Sequence, residues 1–173
     1  MTQAAKNLIF CVHAHQPVGN FNSVFLEAYE KCYKPFFEVL RDHPGFHVSC
    51  HLSGSLIDWI ESEKPEFIRT LKDLFTRGQI EFLGGGYYEP IYGAIPKNDL
   101  VGQIHLMREK LLGLFGKYPE GVWLTERVWD PDLVKPLRKA KAEFTILDDY
   151  HFEKAGISSP STGYYRSEEH TSE

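Results

Sequence analysis

A carboxylate, a guanidinium and two indoles fall close together in Trp123-Leu-Thr-Glu-Arg-Val-Trp129. A carboxylate at the carboxyl end of a parallel strand is where α/β barrels carry their chemistry, and there Glu126 could serve as nucleophile or base. Trp123 and Trp129 beside it suit the apolar faces of sugar rings. The same residues also suit a Glu126–Arg127 ion pair at a strand end with the tryptophans in a core, and this stretch by itself leaves both open. Similar groups recur along the chain: His13 and His15, Glu89 ahead of Pro90, and Asp148-Asp149 followed by His151. His13 and His15 are two apart at a strand end and so point the same way, but they offer two ligands where a catalytic zinc takes three. His43, His47 and His51 are spaced by four. Pro44-Gly45 breaks any helix there, so they are expected to be hydrogen-bonding histidines rather than a metal face. No Gly-x-Ser-x-Gly elbow occurs. Gly84-Gly-Gly86 leads into Tyr-Tyr-Glu-Pro instead of a helix start, which makes it a poor dinucleotide fingerprint. What remains is a set of carboxylates, imidazoles and aromatics. It suits glycosyl transfer, in which one carboxylate attacks the anomeric carbon and a second carboxyl protonates the leaving oxygen.

These groups must be positioned by strands. Leu8 to Val12 is a continuous apolar run, which predicts a strand buried on both faces and ending at His13. Apolar residues from Asn22 to Leu40 recur with a helical period, and Pro35 should kink or divide that helix. Phe46 to Leu52 alternates as a strand, Gly54 opens the next loop, and Leu56 to Ile60 reads as a short helical piece. A helix begins at Lys64-Pro65 and ends at Gly78. Gln79 to Leu83 is a third strand, and Asn98 is expected to cap a long helix closed by Gly116. Val122 to Thr125 is a fourth strand, followed by Asp130 as N-cap and Pro131 at the first helical position. Phe144 to Leu147 is a fifth. Strands alternating with helices at this spacing predict βα repeats and a parallel sheet, with the chemistry-bearing loops on one side. A Rossmann-like sheet competes with a barrel.

The chain has 173 residues, a net charge of -5 and no dense basic run, which argues against a nucleic-acid surface. Its 14% aromatic content is high, and sugar-binding clefts or a rigid core are the two places for the surplus. Cys11, Cys32 and Cys50 lie in apolar runs with no Cys-x-x-Cys spacing, and the apolar run near the amino terminus is too short for a signal or a membrane span. Buried reduced thiols and a cytoplasmic location are expected.

Four ordered stretches resemble the motifs of glycoside hydrolase family 57, and in particular its 4-α-glucanotransferase and α-amylase members. They are His13-Ala-His-Gln-Pro-Val-Gly-Asn-Phe21, Gly84-Gly-Gly-Tyr-Tyr-Glu-Pro-Ile91, Trp123-Leu-Thr-Glu-Arg-Val-Trp129 and Asp148-Asp-Tyr-His-Phe152. The resemblance runs from about Asn7 to Ile157. It implies a parallel (β/α)7 barrel, retaining chemistry on an α-glucan or maltooligosaccharide, and neither metal nor cofactor. By motif, Glu126 matches the nucleophile, His13, His15 and Glu89 match substrate-contacting positions, and Trp129 resembles a sugar-facing aromatic. Trp123 and Asp148 complete the expected substrate-binding set. The family's acid/base is an Asp in a later His-Asp-Asp-Gly-type motif, and no such motif occurs in this sequence. A whole eight-unit barrel takes roughly 250 residues. The chain is therefore expected to be a barrel cut short after about five βα units, with a partial catalytic domain over 1–157. The tail, 158–173, is Ser/Pro/Thr/Gly-rich, lacks any apolar residue from Arg166 on, and is expected to be poorly structured and foreign to the family. Two other classes stay open. A metal-dependent polysaccharide deacetylase would use paired aspartates and histidines on a related barrel, although no His-x-x-x-His on a helix face supplies further ligands. A non-catalytic glucan-binding protein would need no acid. Hydrolysis versus transfer and the oligomeric state are left undecided.

Overall fold

A computed structural model of the chain describes residues 8–157 and Tyr165. They fall into two units that meet in sequence at Leu83–Gly84, and each is built from parallel strands and helices.

The first unit carries a three-stranded parallel sheet in the order β1-β2-β3, from Cys11–Ala14, Val48–Leu52 and Ile80–Phe82. Its register sets His13 beside His51, and Cys50 between Val12 and Phe82. The expected doubly buried strand at Leu8 to Val12 is displaced toward His13. Leu8 and Ile9 are 84% and 81% exposed. The reason is position: β1 has one neighbour in this sheet, whereas a run buried on both faces belongs to a central strand.

The helical run after β1 is divided, as Pro35 requires. α1, Asn22–Ala28, passes through a π turn at Tyr29–Tyr33 into α2, Lys34–Asp42. Pro35 sits in the first turn of α2, where its missing N–H costs least, and the wider π turn makes room for its ring. Gly54 does not open a loop. It starts α3, Gly54–Glu63, because the Ser53 hydroxyl accepts the Leu56 N–H as an N-cap. α4, Pro65–Thr76, begins on its proline, and Gly78 follows at φ 72°. Leu56, Ile57, Ile60, Leu71 and Leu74 are at most 1% exposed and form the centre of this unit. Truncating any of the leucines to alanine costs about 2–5 kcal/mol. Tyr29, Phe37 and Phe67 meet edge to face at 5.2 and 5.5 Å, so part of the aromatic surplus goes into core.

In the second unit β4, Gly121–Val122, pairs in parallel with β5, Phe144–Thr145, and Gly84 bridges to Val122 on the other side. The helices are α5 (Lys97–Phe115), α6 (Val134–Lys139) and α7 (Asp149–Lys154). Asn98 is not the cap of α5. Pro96 holds that position, and Asn98 lies in the first turn. Gly116 closes the helix at φ 76°, a left-handed conformation that glycine adopts without a Cβ penalty. Asp130 does cap its helix, its carboxylate accepting the Asp132 N–H at 2.8 Å. Leu100, Ile104, Val122, Leu124, Leu133 and Leu137 make the core. Among the described residues no helix is long and apolar enough to cross a membrane. The tail reading for 158–173 lies outside the described residues except at Tyr165, whose ring packs 4.7 Å from that of Phe152.

Candidate active site

In the first unit the loop after β1 is pinned at several points. The Gln16 N–H donates to the Ser53 hydroxyl, the Gln16 amide to the Tyr33 hydroxyl, and that hydroxyl to the His15 carbonyl. His13 and His15 point the same way, their rings near parallel with centroids 6.2 Å apart. The spacing did not reveal their third member. His51, 1% exposed, stacks on His13 at 5.1 Å, and the two Nδ1 atoms share a hydrogen bond of 2.9 Å. The signal was available, since His51 lies opposite His13 once β1 and β2 are paired in parallel. His43 and His47 donate instead to the carbonyls of Val39 and Gly78. They stand apart from the His51 cluster, as expected of hydrogen-bonding residues. Of this unit's imidazoles, His13 and His51 lie close enough to share a metal ion, and the short Nδ1 contact between them is hydrogen-bond geometry.

Burial holds the His51 imidazole well below its ordinary range, with His13 and His15 adding to the effect. The unfolded chain then binds a proton that the folded one refuses, so stability is complete above the ordinary value of 6.5 and falls as pH drops through it. Urea unfolding at pH 7.5 and 5.0 should show this loss, and it should shrink in His51→Gln.

In the second unit two loops carry the carboxylates. The first is hung between β4 and α5: the Gly84 N–H donates to Gly121 C=O at 2.8 Å, and Tyr88 N–H to the Gln103 side chain at 3.0 Å. Glu89 follows in a turn closed by its own N–H on Gly86 C=O at 3.0 Å. In the second loop the expected strand through Thr125 stops at Val122, and Thr125–Arg127 coil into a 3-10 turn. Glu89, Glu126 and Arg127 adopt φ of 52°, 53° and 53°, and Lys141 is the fourth non-glycine residue with positive φ among the described residues. Such backbone costs on the order of 1–3 kcal/mol per residue and concentrates at functional sites. Glu126 is exposed and Glu89 half-buried. Burial first, and then the charge of Glu126, push the Glu89 carboxyl up to about 8. Two carboxyl groups thus sense each other, and at neutral pH one of them keeps its proton.

Arg127 does not pair with Glu126. Its Nε donates to the Asp148 carboxylate at 2.8 Å, with both side chains about half exposed. Asp148 stands at the N-cap position of α7 without capping it through its side chain. Trp123 and Trp129 are half-buried, and Trp129 packs against the core of the unit. Tyr92 also lies at this site although its sequence context marked only a loop. Its buried hydroxyl accepts the Gly86 N–H and donates to the Trp123 carbonyl.

The chain is similar over this whole region to enzymes acting on α-glucans. It is 51% identical over 154 residues to an alpha-amylase of Pyrococcus abyssi, and 49% identical over 152 residues to a 4-alpha-glucanotransferase of Thermococcus litoralis. Each match takes in 88% of this chain and 23% of the relative. The crystal structure of the 4-alpha-glucanotransferase from Thermococcus litoralis superposes with a TM-score of 0.84 over 87% of this chain and 23% of its own. The chain therefore spans about a quarter of the length of these relatives. The model of glycosyl hydrolase family 57 matches residues 9–170, and the chain belongs to that family.

Proposed function

We propose that this chain provides the nucleophile and part of the sugar-binding surface of a retaining enzyme acting on α-1,4-glucans, as hydrolase or as 4-α-glucanotransferase. The carrying observation is Glu126: an exposed carboxylate just beyond a parallel strand, presented by left-handed backbone in a segment shared with α-glucan enzymes. Its carboxylate attacks the anomeric carbon, the bond to the leaving oxygen breaks, and a general acid gives that oxygen a proton. Water or a sugar hydroxyl then displaces the carboxylate, and the choice between them separates hydrolysis from transfer. The family acid/base motif is absent from this sequence, so Glu126 is the half of the machinery assigned here. His13, His15, Glu89, Trp123, Trp129 and Asp148 are assigned to substrate binding, with Asp148 acting through its pair with Arg127. Parallel strands with intervening helices support a (β/α)7 barrel, of which these are about the first five units. Against the expectation of three buried thiols, only Cys50 is buried, while Cys11 is half-buried and Cys32 exposed; all three are free, which supports a reducing, cytoplasmic setting.

The test is covalent. Fluoride leaves without a proton, so a ring-fluorinated α-glucosyl fluoride requires in-line attack by the carboxylate and little help from an acid. Incubated with the intact protein, it should leave a glycosyl ester on the Trp123–Lys135 segment that disappears in Glu126→Gln. Label at Glu89 or Asp148 instead would overturn the nucleophile assignment, and no label on folded protein would favour glucan binding without catalysis.

A further inference from the structure

Glu89 and Glu126 each sit three residues beyond a backbone group held by the same side chain. Gly86 precedes Glu89, Trp123 precedes Glu126, and the Tyr92 hydroxyl joins them. It accepts the Gly86 N–H at 2.7 Å and donates to the Trp123 carbonyl at 2.9 Å. We propose that Tyr92 is a positioning residue, a tether that sets the Glu89 loop against the Glu126 turn and so fixes the mutual placement of the two carboxyl groups. The inference rests on the reading of Glu126 as nucleophile.

The tether is built to be rigid. Tyr92 is 2% exposed, and its ring is part of the core that also holds Leu124, Leu133 and Leu137. A phenol so placed has few rotamers left. Burial makes the phenol a weaker acid than usual, so it keeps its proton and remains the donor its carbonyl partner requires. Gly86 completes the fit from the other side. A Cβ there would lie 2.7 Å from Pro90 Cδ and 3.2 Å from a Tyr92 ring carbon, so only glycine allows the loop to settle on the tyrosine. Backbone bonds between the two segments continue from this point, with the Trp123 N–H on Gly84 C=O at 2.8 Å. Beyond the tether each turn closes on its own backbone, the Glu89 N–H on Gly86 C=O at 3.0 Å and the Arg127 N–H on Leu124 C=O at 2.8 Å, so each moves with the group that Tyr92 holds. A shift at Tyr92 is therefore carried to their tips, where a misplacement of about 1 Å can cost a reaction about 10²-fold.

Tyr92→Phe keeps the ring and removes the tether. The measurement is the rate of glycosyl-ester formation from the ring-fluorinated α-glucosyl fluoride in the intact protein, expressed per site finally labelled, so that unfolded molecules do not count. The rate should fall about 10-fold or more while half-saturation changes less than about threefold. Leu137→Val, cut from the same core, controls for lost stability and should label at the wild-type rate per site. A second readout needs no substrate. The Glu89 titration, followed by carboxyl-carbon NMR against Glu89→Gln, should move down from about 8 toward the ordinary range as Glu126 is released from its side. Wild-type rate per site together with an unmoved Glu89 titration would overturn the tether. If the wild-type protein takes no label, the glucan reading fails, and the titration alone decides whether Tyr92 holds the two carboxyl groups together.

Discussion

Glu126→Ala in the intact protein is expected to lower turnover of an α-glucosyl fluoride, whose leaving group needs no acid, by about 10⁴-fold, near 5.4 kcal/mol of lost transition-state stabilisation. Removing a nucleophile closes the double-displacement route entirely, whereas removing a binding group raises KM and leaves the route open. Azide distinguishes the two. In the alanine variant it can enter the space the carboxylate leaves and attack the anomeric carbon of an α-glucosyl fluoride from the same face. The C–F bond breaks, fluoride departs, and a β-glucosyl azide accumulates with inverted configuration. Glu89→Ala, by contrast, should give no β-azide, because the carboxylate at position 126 still occupies that face, and any azide that intercepts its glycosyl ester leaves as the retained α-azide. Recovery of the α-azide from Glu126→Ala, or full turnover without azide, would remove Glu126 from the role of nucleophile.

Glu89 should make the protein more stable in acid than in base across the range between the two states' titrations. Its carboxyl is pushed up to about 8 in the folded chain from an ordinary 4.5, so between those values the folded state holds a proton that the unfolded state has released. Stability therefore falls as pH rises through that window and levels off above it. Glutamine at position 89 mimics the protonated acid and cannot ionise. Glu89→Gln should match the parent near pH 4.5 and become the more stable of the two by pH 8. The gap is limited to a few kcal/mol because the side chain is in partial contact with water. Denaturant melts of both proteins at the two pH values measure it directly. Equal slopes against pH would mean that Glu89 is ionised in the folded protein at neutrality. Because Glu126 supplies part of the shift, Glu126→Gln should recover some of the same stability at high pH.

The βα alternation was legible because apolar periodicity is a property of each segment alone. The same holds for Pro35 dividing a helix, Asp130 capping one and Gly116 ending another, since each acts on its own neighbours. The starts of α3 at Gly54 and of α5 at Lys97 were misplaced on local capping alone, whereas other misplaced features depended on partners distant in sequence. Leu8 and Ile9 look like a central strand by composition, yet β1 has one neighbour in its sheet, and only pairing could reveal that. Thr125 reads as strand by its β-branched side chain, but the turn that presents Glu126 takes it out of the ladder. At the candidate site the motif residues were readable by type. His51 and Tyr92 were hidden because one reaches His13 through strand register and the other joins two loops through backbone atoms, which no side-chain motif encodes.

The left-handed backbone at Glu126 has a further consequence for how the chain can change over time. A glycine at that position would remove the steric conflict of its Cβ, and an asparagine would tolerate the left-handed backbone better, so selection for thermal endurance alone would favour discarding the carboxylate to which we assign the chemistry. Glu126 is then retained against a standing local disadvantage. Stabilised descendants of this chain should gather their compensating changes in the leucine-rich cores and helix caps, where added stability does not trade against activity.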